Sequence, residues 1–123
     1  MIVLDAVILN SDRHFGNFGF LVDNDTFAVK AFAPVFDHNM ALLAHAMDTT
    51  LVQDTDYVRS LGHKAGGEFV LAAKHMLTHT TRELLRGLLE FSFKPHKQYN
   101  LPPERLTWLN SVVRQQIREI LQR

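Results

Sequence analysis

The sequence predicts a mainly α fold that opens on a small β-hairpin, and three observations carry this. Residues 18–22 and 26–32 are mostly apolar and rich in aromatic and β-branched residues, and they flank the turn cluster Asp23-Asn24-Asp25, the pattern of two antiparallel strands. Leu106, Leu109, Val113, Ile117, Ile120 and Leu121 recur at helical spacing near the other end. Between them lie further amphipathic stretches separated by Gly and Pro, so helices dominate the second part of the chain.

The first nine residues are an apolar run carrying one charge, Asp5. Their β-branched members favour a strand, while Leu4, Ala6 and Leu9 suit a helix, and periodicity does not separate the two. The hairpin returns the chain to where it left, which brings the segment around Asn17 close to that around Asp37; Pro34 ends the second strand. Residues 40–46 form a short apolar piece and 48–56 a polar, turn-like one. After the glycines of 62–67, residues 68–77 make a compact amphipathic helix. Thr80-Thr81-Arg82-Glu83 has the pattern of a capping box opening a helix through Leu84, Leu85, Leu88 and Leu89. The last helix starts at Leu101-Pro102-Pro103-Glu104, with proline in its first turn, and directs Arg114, Arg118 and Glu119 away from its apolar face.

Composition narrows the functional classes. A chain of 123 residues fits one domain, or one lobe of something larger, and 46% hydrophobic with 21% charged residues is enough to bury a core. Thirteen basic and 13 acidic residues leave no net field to recruit nucleic acid. The absence of cysteine excludes disulfides, thiolate metal sites and a cysteine nucleophile. No apolar run is long enough to span a membrane, and the start lacks the basic flank of a signal peptide, so a cytoplasmic location is expected.

Chemistry concentrates in residues 10–39. Asp12 and Asn17 have the D-x-x-x-x-N spacing of a phosphotransferase loop, in which the Asp accepts the proton of the acceptor hydroxyl and the Asn binds magnesium. Magnesium takes hard oxygen ligands and uses one or two protein carboxylates beside phosphate and water. Asp37, across the hairpin, is the second candidate metal ligand. The plain alternatives are a turn for Asp12 and Asn17, and a helix N-cap for Asp37. Seven histidines invite a transition-metal reading, but His75 and His79 straddle an expected helix break and no H-E-x-x-H occurs. Trp108, Phe91 and Phe93 are expected in the core.

The run Asn10-Ser11-Asp12-Arg13-His14-Phe15-Gly16-Asn17, followed by Ala33-Pro34-Val35-Phe36-Asp37, resembles the HipA-like serine/threonine kinases, whose catalytic loop is related to that of phosphatidylinositol kinases. The family pattern N-x-D-R-H-x-x-N, then A-P-x-[FY]-D, is met at each position. The resemblance implies a single partial kinase C-lobe over 1–123, with catalytic loop, hairpin and metal-binding Asp in 1–39 and a helical bundle in 40–123. It implies Asp12 as catalytic base, Asn17 and Asp37 as ligands of the magnesium that accompanies ATP, and Arg13 and His14 as braces of the loop. Asp37 is followed by His38-Asn39 rather than the Phe-Gly of ordinary protein kinases. No G-x-G-x-x-G occurs, and Lys30 lies on the wrong side of the loop for the ATP-binding lysine. The chain alone is therefore expected to bind ATP weakly. Its expected partners are a protein substrate and an N-lobe or antitoxin-like subunit, with self-association through an uncovered apolar face a further one, and neither nucleic acid nor membrane. Two other readings stay open: a non-catalytic interaction or regulatory module derived from such a kinase, and a metal-dependent phosphohydrolase using Asp12, His14 and Asp37.

Overall fold

The computed structural model describes residues 1–46, 55–64 and 66–122, and over these the chain is mainly α with one two-stranded hairpin. Residues 2–8 resolve the ambiguity of the first segment as helix α1 (Ile2–Ile8). Helix wins because Val3, Ala6 and Val7 then share one buried face. Leu9 ends the helix in the left-handed region at φ 54°, and Asn10 N–H donates to Asp5 O at 2.9 Å. A leucine there is strained, and its almost complete burial offsets the strain.

The hairpin is shorter than the sequence suggests. Strand β1 (Phe20–Val22) pairs antiparallel with β2 (Val29–Phe32), with Phe20 opposite Phe32 and an irregularity between Leu21 and Val22. Asp23 holds the turn, its Oδ1 accepting from the N–H groups of Asp25 (3.1 Å) and Thr26 (2.9 Å). These bonds, Thr26 N–H first, hold its carboxyl below the usual aspartate value. Lys30 pairs with Asp23 at 3.2 Å, so it belongs to the turn. Every residue of both strands is exposed. Phe32 lies edge-on to Phe20 at 5.5 Å and stacks on Phe18 at 6.2 Å.

A 3₁₀ turn at Ala41–Leu43 follows, and the polar stretch expected at 48–56 lies outside the described residues as far as 54. Helices α2 (Thr55–Ser60), α3 (Phe69–His75), α4 (His79–Gly87) and α5 (Pro103–Leu121) follow among the described residues. Helix α1 packs on α3 and α5, and α5 on α3 and α4. The core between them contains Val3, Ala6, Val7, Phe69, Ala73, Val113, Ile117 and Ile120, with Phe91, Phe93 and Trp108 packed at its edge.

Two local expectations need correction. The N-cap of α4 is Thr78, whose hydroxyl accepts from Thr81 N–H at 3.2 Å, so the capping box expected at 80–83 is displaced by two residues. The helix starts where a threonine reaches back to the backbone, and Thr80 and Thr81 are already inside it. Arg114 does not face away: its Nε donates to Phe91 O at 2.7 Å, which anchors the segment after α4 on α5. Arg105 does the same for the 41–46 segment, donating to Leu43 O (2.9 Å) and Ala46 O (2.7 Å). His75 and His79 lie on different helices, α3 ending at one and α4 beginning at the other. No helix among the described residues is long and apolar enough to cross a membrane.

Candidate functional site

The site is assembled around a charge pair inside the protein. Arg13 and Asp5 are both fully buried, and they meet in a two-pronged bond, Nε to Oδ2 and Nη2 to Oδ1, each 2.9 Å. A buried guanidinium is tolerated only when its donors are used. Arg13 Nη1 donates to Asn17 O at 2.6 Å and to Phe36 O at 2.7 Å, and Nη2 donates to His38 Nδ1 at 3.3 Å. One side chain thus joins helix α1, the 10–17 loop and the segment returning from the hairpin. Asn10 adds a parallel tie, its Nδ2 donating to Asp5 Oδ1 (3.1 Å) and Asp37 O (3.3 Å). The approach of the Asn17 and Asp37 segments follows from these bonds, since their carbonyl neighbours share one nitrogen.

Arg13 itself cannot reach solvent, so its place is to position the loop. Asp12 is partly exposed, and its carboxylate pairs with Lys64. The hydrogen bond from Lys64 holds the Asp12 carboxyl below the usual aspartate value, with the charges of Lys64 and His14 helping and partial burial opposing. Asn17 is buried in the turn Phe15–Asn17 and donates Nδ2 to Asp12 O at 3.1 Å, which leaves its amide oxygen as the group able to ligate a cation. Asp37 is half-buried and holds φ at 57°, a left-handed conformation that aspartate adopts more readily than most residues. It caps no helix, since the turn at Ala41–Leu43 begins after Met40. His14 is exposed and caps its own turn, Nδ1 accepting from Gly16 N–H at 3.0 Å.

Amide and carboxylate oxygens at Asn17 and Asp37 are the donor types that magnesium takes. Among the described residues no three His, Asp or Glu side chains gather into an all-protein metal cage. Two ligands completed by phosphate and water is the usual magnesium arrangement.

Two participants escaped the sequence reading. Asp5 carried a signal: a lone acid inside an apolar run is buried only when paired. The 62–68 loop carried none that placed it here. Its Lys64 N–H donates to Ser11 O at 3.3 Å, which lays the loop against the 10–17 segment. Gly62 is bridged to Glu68, and a Cβ on Gly62 would lie 2.6 Å from Gly67 O, so only glycine closes the loop this tightly. His63, 6% exposed, stands edge-on to Phe69 at 4.6 Å. Neither of its ring nitrogens has a hydrogen-bond partner among the described residues, and burial pushes its pKa below the usual value. A concavity of about 570 Å³ opens along this loop, with Ser11, Ser60 and Lys64 in its wall.

No family model, curated protein or solved structure matches the chain.

Proposed function

We propose that the chain is the catalytic-loop portion of a HipA-like protein kinase, which transfers the γ-phosphate of Mg-ATP to a serine or threonine hydroxyl of a protein. The observation that carries this is the convergence of the Asp12 loop and the Asp37 segment on the buried Arg13. A phosphotransfer site asks for a base beside two metal-ligating oxygens, and the three candidates lie on segments tied to one guanidinium. In this reading Asp12 accepts the hydroxyl proton as the hydroxyl oxygen bonds to phosphorus, and the bond to the bridging oxygen of ADP breaks. Asn17 and Asp37 would hold the magnesium ions that accompany ATP, which would supply charge neutralisation at the phosphates. Asp5, Asn10 and Arg13 keep these groups in register, so that catalysis is mainly positioning and electrostatic stabilisation.

The test is transfer of label from γ-labelled ATP to protein by the chain combined with a HipA-like N-lobe. Wild type is expected to label serine or threonine, and Asp12→Ala and Asp37→Ala to lose transfer while keeping wild-type circular dichroism. Transfer by Asp12→Ala at the wild-type rate would end the assignment of the base.

A second reading, a non-catalytic interaction module, draws on the apolar surface. Phe20, Leu21, Phe27 (80% exposed) and Val29 project from the hairpin. A groove of about 510 Å³ between α1, β2 and α4 is lined by Leu4, Phe32, Met76, Leu84 and Leu88. Such a surface suits a partner chain. The same labelling experiment separates the two readings, since a module without chemistry transfers nothing when completed.

A further inference from the structure

We propose that Lys64 is a catalytic residue of this site, its ammonium leaving Asp12 to contact the phosphoryl group in transit. The proposal rests on the phosphotransfer reading and extends it to a loop that lies outside the 10–39 motif.

The argument begins with what the 62–68 loop costs. Its glycines include Gly66 and Gly67, at φ 105° and 88°, and Gly62, which admits no side chain. Its histidine is buried, and its ring nitrogens have no hydrogen-bond partner among the described residues. Each of these features is unfavourable to folding in isolation. The ion pair they deliver is little compensation, because the Lys64 side chain is 64% exposed and such pairs contribute almost nothing to stability. Residues of the loop are nevertheless tied to the rest of the fold. The N–H of Lys64 bonds Ser11 O in the catalytic segment, while His63 stands against Phe69 and Gly62 is bridged to Glu68. Lys64 thus presents one long, solvated cation to the carboxylate assigned as base.

That placement suits phosphoryl transfer. A hydroxyl bonded to Asp12 lies next to the phosphorus it attacks, so an ammonium within contact of Asp12 is also within a small side-chain rotation of the phosphoryl oxygens. Lysine has three donors on a flexible stem and binds phosphate as a point charge. The charge on the phosphoryl oxygens is greater than that of one carboxylate, so Nζ moves to them when they arrive. Asp12, relieved of its cation, becomes a stronger acceptor for the hydroxyl proton at the moment it is needed. As the acceptor oxygen bonds to phosphorus, ADP leaves with the electron pair of the broken bond and Asp12 takes the proton. Lys64 keeps its own proton throughout.

The test uses the chain itself with magnesium tripolyphosphate, the nucleotide tail without its base, titrated into labelled protein and followed by NMR at Asn17, Asp37 and the Lys64 ammonium. Wild type is expected to shift all three. Lys64→Met should weaken the affinity about tenfold, the loss of one charge-assisted contact, while Lys64→Arg stays within about threefold of wild type. Because the side chain is largely solvated, these variants are expected to keep the amide spectrum of the core. Shifts at Asn17 and Asp37 with wild-type affinity in Lys64→Met would overturn the role of Lys64 and leave the phosphotransfer reading standing. No shift at Asn17 or Asp37 in wild type would overturn both.

Discussion

Replacing Arg13 with methionine strands the fully buried carboxylate of Asp5, leaving it only the Asn10 Nδ2 donor at 3.1 Å. It also removes the shared donor of Asn17 O and Phe36 O. Breaking one side of a buried pair costs about 3–5 kcal/mol. Domains of this size are stable by about 5–15 kcal/mol, so much of the total is at stake. With a loss of about 4 kcal/mol and a urea dependence of about 2 kcal/mol per molar, the unfolding midpoint falls by about 2 M. Trp108, packed against the core, reports the transition by fluorescence. The double variant Asp5→Leu with Arg13→Met removes both charges; it leaves Asn17 O, Phe36 O and His38 Nδ1 without the Arg13 donor and Asn10 Nδ2 with Asp37 O as its remaining acceptor. It should lie above Arg13→Met in stability, at a net cost of about 1–3 kcal/mol. A fall of less than about 0.5 M for Arg13→Met would refute the reasoning. So would a double variant as unstable as the two single losses added.

Three further outcomes follow from local geometry. Burial holds His63 neutral and its pKa below the usual value, so the unfolded chain binds more protons as pH falls below about 6.5. Stability is therefore full above that pH and declines toward the folded pKa; His63→Phe should flatten the thermal midpoint between about pH 7 and about pH 5.5, as read by calorimetry. Gly62→Ala drives a methyl into Gly67 O and should cost about 1–3 kcal/mol in urea unfolding, whereas Gly87→Ala, with open space around it in α4, should add about 0.5–1 kcal/mol. Thr78→Ala should cost about 1 kcal/mol through its lost cap, and Thr80→Ala should cost clearly less in the same assay.

Local pattern carried most of the fold. The turn acids at 23–25, the proline at the start of α5 and the spacing from Leu109 to Ile120 each state an element through neighbours in the chain, and the structure has those elements. Segment 2–8 was ambiguous because its identity depends on what α3 and α5 cover, which is a property of packing rather than of propensity. The candidate site divides the same way. Asp12, Asn17 and Asp37 stood out because a short window held many unusual polar positions. Arg13 stands in the same motif, but its burial and its bonds to Asp5, Asn17 O and Phe36 O are visible only in the fold. Lys64 lies about fifty residues beyond Asp12 in the sequence, and only the folded positions of α2 and α3 bring the 62–68 loop to Ser11. The tight closure at Gly62, which makes the loop possible, is visible only once Gly67 is placed opposite it.

The central claim, that Asn17 and Asp37 form the metal end of a nucleotide phosphate site beside Asp12, is tested most directly by titrating Mg-ATP into wild type and Asp37→Ala in a calorimeter. The account predicts weak binding by wild type that Asp37→Ala removes. Equal binding by both proteins, or binding by neither, would contradict it.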